Sequence, residues 1–352
     1  MSDAVSIMQI GVDSFVATAL DQLRPGAKGD VVRVQELLEE VELADRIGLD
    51  VFGLGEHHRP DYISSAPVVL LAAAAARTKR IRLASAVTVL SSDDPVRVFQ
   101  QFATLDLISQ GRAEIVVGRG SFIESYPLFG FDLDNYDELF AEKLDLLRKL
   151  QEHALVHWSG RHRPSLTGQG VFPRPLQTPL PVKIGVGGTP ASFARAGTLG
   201  LPLVVAIIGG QASHFRPLID LYRESGQRAG HAPERLSVSI HSIGFLADTT
   251  KEALDTFWPG YRETFGRIGR ERGWPPPSRP QFEAQCSPHG ALMVGEPQAI
   301  TDKILAEYEA LGGFDGMSIQ IDNRMLTHAQ IMHAIELLGT QVAPAVKKAV
   351  GN

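Results

Sequence analysis

The feature that most constrains this chain is a repeated alternation, in which short apolar, β-branched runs are each followed by a longer stretch with apolar residues at three-and-four spacing. A strand buried on both faces reads as a near-continuous apolar run, and its crossover helix shows one apolar stripe, so the rhythm encodes βα units around a parallel sheet. Strands are expected at Ser6–Val12, Val51–Gly55, Ile81–Leu90, Ala113–Gly118, Val182–Val186, Leu203–Ile207, Leu236–Leu246 and Met317–Ile321. Helical stripes lie between them, for example Val34, Leu37, Leu38, Val41 and Ala44, or Ile331, Ile335, Leu338 and Val342. Helix ends are marked as well. Asp94-Pro95 is an N-cap followed by proline, Thr249 and Glu252 have capping-box spacing, and Gly312-Gly313 closes a helix built on Ile300, Ile304, Tyr308 and Leu311. Eight βα units with no composition shift between halves favour a closed (β/α)8 TIM barrel, one domain over 1–352, rather than a doubly wound sheet.

Two stretches break the rhythm, Ala154–Pro181 and Glu271–Gly295, both rich in Pro, Gly and Arg. They place irregular insertions near strands 4–5 and 7–8. Loops of this length are either tolerated surface insertions or functional walls, and the residues that select the substrate are expected in them.

A net charge of −6 provides no basic field for a phosphate backbone, so a small-molecule partner is expected rather than nucleic acid. The single cysteine, Cys286, rules out a disulfide framework and a thiolate metal cluster, and fits a reducing compartment. No basic segment followed by an apolar one opens the chain, and no apolar run reaches the ~18 residues of a membrane span. A cytoplasmic protein without a membrane partner is expected.

In barrels of this kind the site sits at the C-terminal ends of the strands. The second strand ends in Glu56-His57-His58, three titratable groups whose desolvation is costly unless they are used, although histidines also cap strand ends. A catalytic metal would take His-x-His from one strand, and that spacing is missing; His153 and His157 read as solvated surface. No metal ligands are therefore assigned. Strand three passes through the small residues Ala84, Ser85 and Ala86, which let a flat ring approach the backbone. Strand four runs into Gly118-Arg119-Gly120-Ser121, an arginine suited to phosphate or simply a tight turn. After strand five, Gly187-Gly188-Thr189 precedes a helix starting near Ala191 or Ser192, where free N–H groups make an anion site. Walker, dinucleotide and nucleophile-elbow signatures do not occur. Together the four segments describe a site for a planar, phosphorylated cofactor.

The order of these segments resembles the bacterial luciferase-like monooxygenase superfamily, flavin enzymes on a (β/α)8 barrel. The resemblance is carried by GLGEHH at 53–58, ASAVTVLSSDDPVR, GRAEIVVGRGS at 111–121, FGFDLDN at 129–135 and PVKIGVGGTPASFARAGTLGLP at 181–202. It implies that His57 is a catalytic base, that Glu56, with His58 beside it, contacts the flavin, and that Ala86 and Val87 form a non-prolyl cis peptide against the ring. Arg119 and Ser121 match flavin contacts of strand four; Gly187, Gly188, Thr189 and Ser192 match the phosphate-binding turn. Luciferase itself carries a Glu-Ser pair at Gly188-Thr189 and a reactive thiol at Gly118, so light emission is not implied. The implied activity is a two-component FMN-dependent monooxygenase, using O2 and reduced flavin from a partner reductase on a small organic substrate. An F420-dependent oxidoreductase and a non-catalytic flavin-binding protein are the alternatives. The run PVVLLAAAAARTKR after strand two, with alanines that permit close helix approach, suggests a homodimer.

Overall fold

The computed structural model describes residues 8–18, 27–120 and 122–351. Eight parallel strands close on one another: β1 (Gln9–Ser14), β2 (Val51–Leu54), β3 (Arg82–Ser85), β4 (Ala113–Gly118), β5 (Val182–Val186), β6 (Leu203–Ala206), β7 (Val238–Leu246) and β8 (Gly316–Gln320). Each pairs with the next, and β8 pairs back onto β1 through Gln9↔Gly316 to Asp13↔Gln320. Ser6, the expected start of the first strand, lies outside the described residues; the strand runs on to Ser14. Ala113–Gly118 and Val182–Val186 fall where expected, and apart from strand three the other strand ends shift by a residue or two, as where fraying decides the limit.

Helices wrap the barrel and bury their apolar stripes against it, with Phe52, Phe99, Phe102 and Phe193 fully enclosed between the layers. Their ends follow local chemistry. Asp94 accepts from the N–H groups of Val96 and Arg97, Thr249 caps Glu252, and Gly312 takes the left-handed conformation that ends a helix. No helix among the described residues is long and apolar enough to cross a membrane.

Strand three departs from a simple run. The expected Ile81–Leu90 strand breaks after Ser85; the Ala86–Val87 peptide is cis, and the chain resumes pairing with β4 at Thr88–Val89 before a turn over Leu90–Ser92. Pairing shifts by one residue across the break, from Leu83↔Ala113 to Thr88↔Val117, as in a β-bulge. Val87 then points into the barrel, and glycines make room for it. A Cβ on Gly118 would lie 2.6 Å from Val87 Cγ2, and one on Gly185 would lie 2.8 Å from Val87 Cγ1. Small residues recur at inward positions, among them Gly11, Gly53, Ala84, Ala86 and Ala206, which leaves the upper barrel hollow instead of filled by layered side chains.

The insertions take unequal parts. Residues 154–181 form an antiparallel hairpin, Leu155–Trp158 with Leu166–Gly170, and contribute nothing to the cavity, which corrects the expectation of a substrate wall there. Its anchors explain why: Gln177 bonds Asp106 and the Ala113 carbonyl, at the start of β4 and far from its C-terminal end. The second stretch supplies only Arg272 and Trp274 to the cavity; much of the rest folds as the helix Arg279–Cys286 and the strand Met293–Gly295, which pairs in parallel with the end of β7. The wall comes instead from the 23-residue helix Thr250–Arg272 that precedes it.

Gly118→Ala is expected to destabilise the protein by about 1–3 kcal/mol through overpacking against Val87. Adding Val87→Ala should recover part of that loss. Denaturant unfolding of both single variants and the double variant measures the coupling, and strict additivity would contradict the packing described.

Candidate active site

A cavity of about 690 Å3 opens at the C-terminal end of the barrel and descends between the strands. The Glu56-His57-His58 segment forms one side. Glu56 is buried with both oxygens engaged: Oε2 accepts from the Val89 N–H at 2.9 Å, and Oε1 lies 2.9 Å from His58 Nε2. The carboxylate thus binds the end of β2 to the chain just past the cis peptide, and it orients His58, whose ring meets Phe129 edge-on at 5.0 Å.

His57 faces the cavity among aromatic rings. Its centroid lies 4.4 Å from that of Phe15, 4.6 Å from Tyr62 and 5.1 Å from Phe122. Burial, with smaller contributions from the positive charges of His58 and Arg59, pushes its pKa down to about 3. The imidazole is therefore neutral at ordinary pH, with one ring nitrogen unprotonated. Burial pushes the Tyr62 hydroxyl up to about 12, so it stays protonated.

On the opposite side, Arg119 from the end of β4 reaches Asp137 Oδ1 at 2.5 Å and Ser192 Oγ at 3.3 Å, and lies over the Tyr136 ring at 4.7 Å. Ser192 belongs to the helix Pro190–Leu199, which starts slightly earlier than expected because Pro190 takes its first position. Thr189 is the N-cap, with no side-chain bond to the helix, and added Cβ atoms on Gly187 and Gly188 would meet nothing within 4 Å. Residues far apart in sequence thus converge on an open turn at a helix N-terminus beside a guanidinium. Ser121 lies outside the described residues; Ala86, Val87, Arg119, Gly187, Gly188, Thr189 and Ser192 all line the cavity with Glu56, His57 and His58.

The remaining wall is apolar. Phe257, Tyr261, Phe265 and Ile268 of the helix Thr250–Arg272 face the cavity with Ile208, Phe215 and Ile243. Ion pairs fasten this helix to the barrel mouth: Asp61 receives Arg267, Arg324 and Arg59, and Arg59 also forks onto Glu271. Sequence reasoning missed Asp13, Phe15, Tyr62, His241 and Asp322. Asp13 and His241 stand at inward positions of β1 and β7, a signal visible only once the strand limits and facing were set. Among the described residues no group of three or more His, Cys, Asp or Glu side chains is placed to hold a metal ion.

The model of the luciferase-like monooxygenase family matches residues 10–314. The chain belongs to that family. It is 26% identical over 346 residues to 4-hydroxyprotoasukamycin monooxygenase of Streptomyces nodosus subsp. asukaensis, covering 92% of this chain and 90% of that protein. It is 25% identical to limonene 1,2-monooxygenase of Rhodococcus erythropolis, covering 88% of this chain and 81% of that protein. Among solved structures, a monooxygenase from Streptomyces bottropensis superposes with a TM-score of 0.83 at 25% identity, covering 96% of this chain and 99% of that one. The oxygenating constituent of 3,6-diketocamphane monooxygenase from Pseudomonas putida, in complex with FMN, shares the fold with a TM-score of 0.77 at 21% identity, covering 96% and 98%. This luciferase-like chain is accordingly an oxidoreductase whose named relatives include monooxygenases and other oxidoreductases.

The environment of His57 makes a stability prediction. The folded protein keeps the ring neutral to about pH 3, whereas an unfolded chain protonates it near 6.5. Below 6.5 the unfolded state binds the extra proton, so stability falls as pH drops. His57→Phe should lose less stability than the unmodified protein between about pH 7 and pH 5, as read by thermal melts; identical pH slopes would place His57 in a solvated site.

Proposed function

We propose that this chain is the oxygenating component of a two-component, FMN-dependent monooxygenase, working in the cytoplasm on a small, largely apolar organic substrate with O2 and a partner flavin reductase. The observation that carries the reading is the convergence of Arg119 and Ser192 on the open Gly187-Gly188-Thr189 turn, a cradle fitted to a phosphate. The phosphate-bearing tail would lie there, and the flat ring over Ala86 and Val87, where Gly118 and Gly185 hold no side chains. When bound, reduced FMN supplies the electrons that activate O2 for insertion of one oxygen atom into the substrate.

The chain's own residues do the rest. Glu56 and His58 fix the segment on which the ring would rest, with lone pairs of the carboxylate left for a flavin contact. Neutral His57 accepts a proton at a site from which Phe15, Tyr62 and Phe122 exclude water. The Phe257, Tyr261 and Phe265 wall receives the substrate. The deazaflavin F420 is the alternative cofactor for this barrel, since an F420-dependent glucose-6-phosphate dehydrogenase of Amycolatopsis mediterranei is 28% identical over 234 residues.

Titration of the purified protein with FMN, riboflavin and F420, followed by absorbance, tests this reading. FMN is expected to bind at least ten-fold tighter than riboflavin, because hydrogen bonds to a charged group contribute ~1.5–3 kcal/mol each. Arg119→Ala should narrow that margin, and a bulky residue at Gly188 should weaken FMN more than riboflavin. Equal affinities, or a preference for F420, would overturn the FMN assignment. With a substrate in hand, His57→Ala should lower turnover by about 10²-fold with FMN affinity largely kept, the loss typical of a removed general base.

A homodimer is part of the proposal. The helices Pro67–Arg77 and Pro95–Ser109 present an apolar groove in which Val69 is 69% and Ile108 46% exposed, flanked by Phe172 at 58%. Light scattering at micromolar concentration should give twice the chain mass, and Val69→Glu should halve it.

A further inference from the structure

Across the cavity from Arg119 and Gly188 stands a second buried imidazole. His241, near the middle of β7, has Nδ1 2.6 Å from Oδ2 of Asp13 on β1. Asp13 is itself enclosed, at 5% exposure, and the absence of a side chain at Gly53 makes room for its other oxygen. A carboxylate only accepts, so the hydrogen in this contact belongs to His241 Nδ1, and Nε2 of the neutral ring is left as an acceptor. Nε2 makes no hydrogen bond among the described residues, while His241 lines the cavity.

The surroundings define what that acceptor can meet. Phe15 lies parallel to the His241 ring, centroids 6.3 Å apart, and separates it from His57. Ile243 on the same strand, Ile208 beyond β6, and the Phe257, Tyr261 and Phe265 face supply most of the apolar lining. Among the polar groups here, Asp322 accepts from the N–H groups of Phe15 and Ala17 and Gln320 donates to Asp322, while Asn323 Nδ2, a donor and not a second acceptor, has no partner among the described residues. An unclaimed nitrogen acceptor in a largely apolar chamber favours a hydrogen-bond donor on a largely apolar molecule, because a buried polar group without a partner is costly.

We propose that the substrate is an apolar molecule bearing a phenolic or enolic hydroxyl, and that His241, oriented by Asp13, is the base that takes its proton. The proposal rests on the flavin occupying the half of the cavity between β2 and β5, which leaves the β6–β8 half to the substrate. In the step, the substrate O–H bond breaks and an Nε2–H bond forms; the electron pair stays on oxygen, with no change of redox state. The imidazolium is faced by the Asp13 carboxylate, an arrangement that holds the ring in one tautomer and stabilises the charge arriving on it. The resulting oxyanion raises electron density at the neighbouring unsaturated carbon, the position at which an oxygenase would insert oxygen.

The probes are 1-naphthol and 1-methoxynaphthalene, which share a ring system and an oxygen but differ in the donor hydrogen. Binding is measured with the full chain, both saturated with FMN and without it. The unmodified protein should prefer 1-naphthol by about ten-fold or more, and His241→Phe should reduce that preference to within about three-fold. A second measurement requires no substitution at 241. Spectra of 15N-labelled imidazole should show an unprotonated Nε2 in the free protein, shifted by 1-naphthol and unmoved by 1-methoxynaphthalene, while Asp13→Ala should distribute the hydrogen over both nitrogens. Equal affinities for the two probes, a preference that survives His241→Phe, or an Nε2 resonance that ignores 1-naphthol would overturn the proposal. If FMN fails to bind but the naphthol preference stands and depends on His241, the flavin reading falls and the assignment of His241 holds.

Discussion

The site depends on one buried carboxylate. Glu56 leaves β2 where the chain passes from strand to mouth, and its two oxygens accept from the Val89 N–H and contact His58. Without it, a buried backbone donor and a buried imidazole would both lose their partner, a loss of about 1–3 kcal/mol for each group left unsatisfied. It also sets geometry. The tie runs from β2 to the chain just beyond Ala86–Val87, and it fixes the height at which Val87 enters the barrel. Gly118 and Gly185 then follow as a steric requirement, since a side chain at either would meet the Val87 methyl groups. A clamp, a wedge and two glycines together produce a hollow mouth where a TIM barrel ordinarily packs its interior.

The hollow is divided by chemistry. From β2 to β5 the wall combines the Glu56-His57-His58 segment with glycines, hydroxyls and the Arg119 guanidinium, groups that can approach a flat ring and a phosphate closely. From β6 to β8 it is lined by the aromatic face of the helix Thr250–Arg272, a surface for apolar matter. That helix is held less by apolar packing at its C-terminal end than by charge. Asp61, itself 5% exposed, gathers Arg59, Arg267 and Arg324 around one carboxylate, so the wall, the β2 loop and the β8 loop are tied at one point.

Much of this was legible before the structure because the governing signals are local. Apolar runs set the strands, Asp94-Pro95 and Gly312 set helix ends, and the segments at strand ends announced Glu56, His57, Arg119 and the Gly187-Gly188 turn. The parts that escaped depend on contacts between distant residues. Nothing local distinguishes residues 154–181, which form a hairpin anchored near the start of β4, from a loop over the mouth; only the bonds of Gln177 decide it. The substrate wall escaped for the opposite reason. Phe257, Tyr261, Phe265 and Ile268 read as the ordinary apolar stripe of an amphipathic helix, and a stripe that faces a barrel mouth has the same periodicity as one that faces a core. Asp13 and His241 are 228 positions apart in sequence.

The two cavity histidines show how the same side chain is given different work by its neighbours. His57 sits among aromatic rings and cations, so burial is uncompensated and the charged form is suppressed. His241 is equally enclosed but faces the Asp13 carboxylate, which accepts from its Nδ1. Phe15 stands between them, tilted against one ring and parallel to the other, and keeps the two imidazoles from sharing a proton directly. The residue that enforces the separation is apolar, and its position at the end of β1 follows from a strand that runs two residues past the last apolar position of its sequence pattern, to Ser14.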